Sequence, residues 1–324
     1  MNVKKNDKNF VFDKSIKIDY KYFIKRLLLP FWDVFYSVLI KLNTPKKKYP
    51  RKFQLVICAI FKNEAVFLKE WIEYHRIIGV EHFYLYNNFS NDEYEMVLRP
   101  YIDIDLVTLI DWPINQGQML AYEHFWKNYR EQTQWVTFID IDEFYCPYNC
   151  LDLKKWLKKF KDKPSVVVYW MMFGTSGNYS HDYNRLVIEQ YVVSWDKMYS
   201  MGKIFINTNW NFFKMYHHCI EAKCELFGIS FRVPSVNEFG KYLKWDYIPR
   251  SAVGKARFSI QLNHYWTKSF EETINRKFKR GDVALRDAPT HNLDAFYFCE
   301  HNCCTINYKI YRFMIQLKLA MGIC

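Results

Sequence analysis

Four short apolar runs between Phe53 and Ile141 each end in an amide or a carboxylate, and helical repeats separate them. The first run, Phe53–Phe61, is rich in β-branched residues and too short for a long helix. From Asn63, the spacing of Leu68, Trp71, Ile72, His75 and Ile78 at three and four predicts a helix, with Gly79 as its stop. Phe83–Tyr86 is a second strand, broken by Asn87 and Asn88, after which Ser90 or Asn91 is expected to cap a short helix from Asp92 to Leu98. Leu106–Ile110 is a third strand ending at Asp111, Gln118–Arg130 is helical, and Trp135–Ile141 is a fourth strand running into Asp140-Ile141-Asp142-Glu143. Such alternation predicts an α/β fold of Rossmann-like type, a mainly parallel central sheet with flanking helices.

In sheets of this kind ligands bind beyond the carboxyl ends of the strands. Asn63 and Glu64, then Asn87 to Asp92, then Asp111, then Asp140 and Asp142 follow successive strands, so all are expected at one edge. Along an extended strand Asp140 and Asp142 would face the same side, roughly 7 Å apart. Two carboxylates there make a hard-oxygen site for Mg²⁺ or Mn²⁺ that leaves room for substrate phosphates. A cation so held acts as a Lewis acid on a departing diphosphate. The pattern alone is weak, because Asp103-Ile104-Asp105 repeats it. That copy precedes its strand and reads as solvated turn residues at the opposite edge. The plainer readings are a hydrogen-bonded strand exit for Asp140 and Asp142 and helix capping for Asn63 and Asp92.

Composition narrows the classes. Aromatic residues reach 19%, with 27 Phe, 25 Tyr and 11 Trp against ten Gly and ten Pro, which supplies bulky core material and few flexible linkers. A net charge of +12 suits a phosphorylated substrate, an anionic membrane or nucleic acid. Zinc-finger spacing, an RNP-like motif and a DNA-reading element are all missing from the sequence, which argues against nucleic acid. Nine cysteines without a C-x-x-C pair read as free thiols in a reducing compartment.

Three regions follow: a basic amphipathic leader and linker (1–50), an α/β domain (51–285) and a C-terminal helical tail (286–324). No secretory signal is visible at the start. Leu27–Leu42 is interrupted by Pro30 and Asp33 and flanked by Lys25, Arg26 and Lys41. It reads as an interfacial amphipathic segment or as a helix packed on the domain. The basic leader and tail point to a cytoplasmic chain, peripheral at the inner face of the membrane.

Lys62-Asn63-Glu64, Leu68 to His75, Gly79 to Phe83, Tyr86-Asn87-Asn88, Ser90 and Asp92 resemble the opening of glycosyltransferase family 92 and its bacterial relatives. Phe138 to Phe144, Phe173 to Gly177, His264-Tyr265, Lys268-Ser269, Lys277 and Arg280-Gly281 continue the likeness in order across about residues 53–281. The resemblance implies a GT-A type fold, a divalent cation, and inverting transfer of a hexose from a UDP-hexose, galactose among the candidates, to a glycan or lipid-linked acceptor. It also implies roles. Asp142 and Asp140 would meet the metal, with Asp140 on the ribose as the other option, and His264 would be a further ligand. Lys268 and Arg280 would neutralise the diphosphate. Asn63, Glu64, Asn88 and Asp92 would bind the nucleotide. Among carboxylates free to act as general base (Glu143, Asp182, Glu221), Glu143 alone lies in a matched motif; His217 and His218 have no derived role.

Two rivals remain open on sequence. A sugar nucleotidyltransferase would share the sheet and metal, but Ala59 to Glu64 lacks the glycines of a phosphate loop. A non-catalytic, membrane-attached glycan-binding protein would have no need of Asp140, Asp142 and His264.

Overall fold

The computed structural model describes residues 9–11, 20–45, 50–244, 257–279 and 292–323. A short strand β1 (Phe10–Val11) and a 24-residue helix α1 (Tyr20–Asn43) come first. Then β2 (Phe53–Phe61), α2 (Ala65–Ile77), β3 (His82–Asn87), α3 (Tyr94–Asp103), β4 (Val107–Asp111), α4 (Gln118–Asn128) and β5 (Thr133–Phe138) alternate. Strands β4, β3, β2 and β5 lie side by side in that order, all parallel, as their apolar runs and helical crossovers require.

Two local expectations are corrected. α3 starts at Tyr94 and continues to Asp103, and neither Ser90 nor Asn91 caps it. Ser90 Oγ instead accepts from Asn63 N at 2.9 Å, and the Asn91 amide donates to Asn63 Oδ1 at 2.8 Å, so these residues tie two edge loops together. The fourth strand ends at Phe138, not Ile141. Asp140 and Asp142 therefore lie in a turn beyond the strand, and strand alternation does not orient them.

The second half is β6 (Glu143–Pro147), α5 (Leu153–Leu157), β7 (Ser165–Met172), α6 (Val187–Gln190), β8 (Val193–Trp195), β9 (Met198–Tyr199), β10 (Gly202–Asn207), β11 (Glu221–Leu226), β12 (Ile229–Pro234), β13 (Val236–Asn237) and β14 (Ile260–His264). β10 inserts antiparallel between β5 and β7, β14 runs parallel to β7, and β6 closes the sheet against β14. The result is a mainly parallel sheet in the order β4-β3-β2-β5-β10-β7-β14-β6. The approach of β10 to β7 is close enough to demand glycine, since a Cβ at Gly202 would meet Val168 O at 1.9 Å.

α7 (Phe270–Glu272) runs into a π-helical turn over Thr273–Phe278. After it, α8 (Leu293–Asn302) leads to β15 (Cys303–Ile306), which pairs with β8. α9 (Met314–Met321) packs on α2, where the Phe313 ring meets Tyr74 edge-on at 5.6 Å and Lys69 Nζ donates to Met321 O. The aromatic surplus is chiefly core: Trp71, Tyr74, Tyr84, Tyr122, Trp156 and Trp195 are fully buried. Their polar ends are satisfied, as by Trp71 Nε1 to Glu143 O at 3.0 Å and Tyr74 OH to Tyr145 O at 2.6 Å.

α1 has two apolar faces. Leu29, Tyr36, Leu39 and Ile40 are buried, with the Tyr36 and Tyr242 rings 5.3 Å apart. Leu27 is 80%, Phe31 65% and Val34 67% exposed, on a stripe with Phe23, Val38 and Leu42. Among the described residues no helix is long and apolar enough to cross a membrane.

Candidate active site

The chain leaves β5 through Ile139, which is buried, and turns at Asp140. Glu143 N donates to Asp140 O at 3.1 Å, and Asp140 N donates to Glu143 Oε2 at 2.8 Å, so the Glu143 carboxylate closes the turn that carries both aspartates. Its other oxygen accepts from Trp170 Nε1 at 2.6 Å. Glu143 is 0% exposed. Burial, reinforced by Asp140 and Asp142 and opposed by Lys203, pushes it up to about 8. With both oxygens engaged behind the turn, Glu143 cannot reach an acceptor hydroxyl; it positions Asp140 and Asp142. Asp182 Oδ1 accepts from Asn184 N, and Glu221 pairs with Arg232.

Tyr265 N donates to Asp142 O at 2.9 Å, which fastens the turn to the end of β14 and brings His264 alongside. Asp142 Oδ1 lies 3.6 Å from His264 Nε2, and Asp142 Oδ2 lies 2.6 Å from Lys277 Nζ. Burial would raise the Asp142 carboxyl, but Lys277, with His264 and Lys268, outweighs it and holds the group well below the usual carboxylate range. Burial lowers His264 to about 4, so its imidazole is neutral near pH 7, as a metal ligand must be. Among the described residues, Asp142 Oδ1 and His264 Nδ1 are buried without a hydrogen-bond partner. An anionic oxygen left open beside a neutral imidazole offers two donors to a divalent cation; among the described residues no group of three or more His, Cys, Asp or Glu is already placed to hold one.

Asp140 is the more accessible aspartate, its side chain 37% exposed. Its Oδ2 is 2.8 Å from Lys203 Nζ, and Gln118 Nε2 donates to its Oδ1 at 3.3 Å. Lys203 is 1% exposed and also 3.5 Å from Glu143 Oε2. Burial opposes its charge, but Asp140 and Glu143 raise it and keep the ammonium. The Trp170 ring lies between two imidazoles, 4.7 Å from His264 and 5.1 Å from His218. His218 Nδ1 donates to Gly202 O at 2.8 Å, and burial lowers it to about 3.

A second charged group forms around Glu64. Arg276 Nη1 is 3.5 Å and Lys268 Nζ 3.9 Å from Glu64 Oε2, while Arg276 Nε is 2.8 Å from Glu272. Arg276 Nη1 also donates to Asn63 O at 2.6 Å. Lys268 takes a left-handed backbone (φ +48°), unusual for lysine, and sets its ammonium 4.0 Å from the Phe67 ring centroid. Lys268 thus faces Glu64 rather than standing open for a diphosphate. Asn88 Nδ2 donates to Trp112 O and Ile114 O, and Asp92 Oδ2 accepts from Ala65 N at 2.8 Å, which caps α2. Arg280 lies outside the described residues. Asp105 pairs with Lys52 at 2.8 Å beside the start of β2, at the opposite edge as expected.

The sequence profile of Glycosyltransferase family 92 matches residues 52–278, which take in the whole central sheet and both charged groups. The chain belongs to glycosyltransferase family 92. A family 92 protein of Ricinus communis is 32% identical over 138 residues, covering 41% of this chain and 25% of that protein. One from Oryza sativa subsp. japonica is 37% identical over 123 residues, covering 37% and 21%. The chain thus matches a quarter or less of the length of these relatives. Solved structures that match in part include Staphylococcus aureus TarS 1–349 (TM-score 0.33, 10% identity, 48% of this chain and 47% of that one). Another is the Pyrobaculum calidifontis mannosyltransferase PcManGT in complex with GDP-Man and Mn²⁺ (TM-score 0.30, 17% identity, 45% of each chain).

Within this family 92 chain, the fold brings Asp140, Asp142, Glu143 and His264 together and gathers Asn63, Glu64 and Lys268 in the neighbouring group. Lys203, Arg276 and Trp170 escaped sequence reasoning. Lys203 had one available signal: a lysine directly before the apolar run Ile204-Phe205-Ile206 must find a carboxylate when that strand becomes central.

Proposed function

We propose that this chain is a metal-dependent glycosyltransferase that moves a hexose from a nucleoside-diphosphate sugar, a UDP-hexose, to a hydroxyl of a glycan or lipid-linked acceptor. The observation that carries this reading is the buried Asp142 Oδ1, without a hydrogen-bond partner and 3.6 Å from His264 Nε2, next to the exposed carboxylate of Asp140. Asp142 and His264, with Asp140, would hold Mn²⁺ or Mg²⁺; imidazole favours the former. A cation there supplies Lewis-acid neutralisation of the diphosphate. The chain's own residues do the rest: Glu143 fixes the turn, Lys203 pairs with Asp140, and Asp92 offers its second oxygen, buried and without a hydrogen-bond partner among the described residues, to the nucleoside. Asn63, Glu64 and Asn88 would shape that pocket from the adjoining loops, and Lys268 would add positive field. In the transfer, the acceptor oxygen bonds the anomeric carbon, its proton goes to a base, and the breaking sugar–oxygen bond leaves its pair on the diphosphate. Inversion is the expected stereochemistry on the family likeness.

The peripheral-membrane reading has support in α1, whose exposed stripe of Phe23, Leu27, Phe31, Val34, Val38 and Leu42 lies near Lys25, Arg26 and Lys41. On this reading the chain would sit at an anionic cytoplasmic leaflet, beside a lipid-linked acceptor.

The activity is tested by incubating the chain with a panel of UDP- and GDP-hexoses and measuring nucleotide release with Mn²⁺ or with EDTA. Release from one donor that needs Mn²⁺ and disappears in Asp142→Asn supports the reading. Binding of sugar without turnover of any donor would favour the non-catalytic glycan binder.

A further inference from the structure

The two aspartates of the turn are served by two different ammonium groups. Lys203 is sealed between Asp140 and Glu143 on a central strand and has nowhere to go. Lys277 is different. Its Nζ sits 2.6 Å from Asp142 Oδ2, on the same carboxylate whose other oxygen faces His264. The side chain is 12% exposed, and its ammonium also lies 5.2 Å from the Trp266 ring centroid. The backbone carrying it is pinned by its neighbour, because Arg276 holds Asn63 O and Glu272. The anchor is therefore fixed, and a four-carbon stem joins it to the ammonium. A divalent cation and an ammonium on one carboxylate repel each other, so a cation at Asp142 Oδ1 loosens the hold of Oδ2 on Lys277.

We propose that Lys277 is a displaceable counter-ion. It holds Asp142 in the donor-free chain, yields that carboxylate to the divalent cation, and turns its ammonium onto an anionic oxygen of the donor diphosphate. This rests on the metal and donor reading above. It makes Lys277 a competitor for the metal on the empty chain and a ligand of the nucleotide on the loaded one.

The test is equilibrium Mn²⁺ binding, read as free Mn²⁺ by electron paramagnetic resonance, in the full chain and its Lys277→Met and Lys277→Arg variants, followed by UDP titration at saturating Mn²⁺. Lys277→Met is expected to bind Mn²⁺ tighter by on the order of tenfold, the equivalent of about 1.4 kcal/mol, and UDP more weakly. Lys277→Arg should restore both values toward those of the unaltered chain. Unchanged or weaker Mn²⁺ binding in a Lys277→Met chain that melts normally overturns the proposal. Should Lys277→Met fail to fold, Lys277→Gln takes its place under the same criteria. If neither the unaltered chain nor any variant binds Mn²⁺, with or without UDP, the metal reading itself falls and the proposal with it.

Discussion

Lys203 Nζ lies 2.8 Å from Asp140 Oδ2 and 3.5 Å from Glu143 Oε2, with the lysine 1% and the glutamate 0% exposed. One buried ammonium thus serves the residue that faces the cleft and the residue that shapes the turn. Removing it strands charge in a poor solvent. Lys203→Met should cost about 3 kcal/mol or more of unfolding free energy, measured in urea. Measured above pH 8, adding Glu143→Gln should return part of that loss, since the amide needs no counter-ion. Equal loss in the single and double variants would show that the two side chains do not act together.

The pH dependence has a defined sign. Burial lowers His75 to about 3, His218 to about 3, His181 to about 4 and His264 to about 4, from an ordinary value of 6.5. Between those values and 6.5 the unfolded chain binds protons that the folded chain refuses, so these groups make stability fall as the solution is acidified. Glu70 and Glu238, raised by burial to about 7, work in the opposite direction above 4.5. One histidine can be isolated by difference. His75→Phe, placed against Trp71 and Phe144, should flatten the slope between pH 4 and 6 by about 1.4 kcal/mol per pH unit. Parallel stability curves for the two chains would count against a neutral His75.

Asp92 caps a helix from a distance. Its carboxylate takes Ala65 N at the start of α2, where Glu64 makes no side-chain cap of its own. Asp92→Ala should lower unfolding free energy by about 1 kcal/mol, and Asp92→Asn, which keeps an acceptor oxygen, by less. If Asp92→Ala weakens UDP binding without destabilising the chain, the nucleoside role outweighs the cap.

The membrane reading rests on one helix face. Leu27, Phe31 and Val34 are exposed and contribute little to the fold, so replacing all three by Glu should leave melting nearly unchanged. The triple variant should lose flotation with anionic vesicles that capture the unaltered chain, and Lys25 and Arg26 substitutions should weaken capture and make what remains less salt-sensitive. Equal capture of both chains would remove α1 as the contact.

The parallel half of the sheet was legible because each strand is a short apolar run and each crossover repeats at three and four. The polar residues at the strand ends then marked the edge correctly. The turn after β5 was not legible, since Ile139 and Ile141 prolong the apolar alternation. What ends the strand is the Glu143 side chain capturing Asp140 N, a contact with no signature in hydropathy. The antiparallel insertion of β10 was hidden for a similar reason: strand direction leaves no mark on composition. Lys203 went with it, because its partner Asp140 lies 63 residues earlier. α1 buries one apolar face, as a helix packed on the domain requires, and exposes another. Asn88 and Asp92 reached the expected edge, where backbone groups already occupy Asn88 Nδ2 and one oxygen of Asp92.

UDP titration by calorimetry, in Mn²⁺ and in EDTA, bears most directly on the pairing of Asp142 with His264. The unaltered chain should bind UDP far more tightly in Mn²⁺, while Asp142→Asn and His264→Ala should each give the same weak binding in both buffers. Metal-enhanced UDP binding that survives in both variants would contradict a cation held between those two side chains.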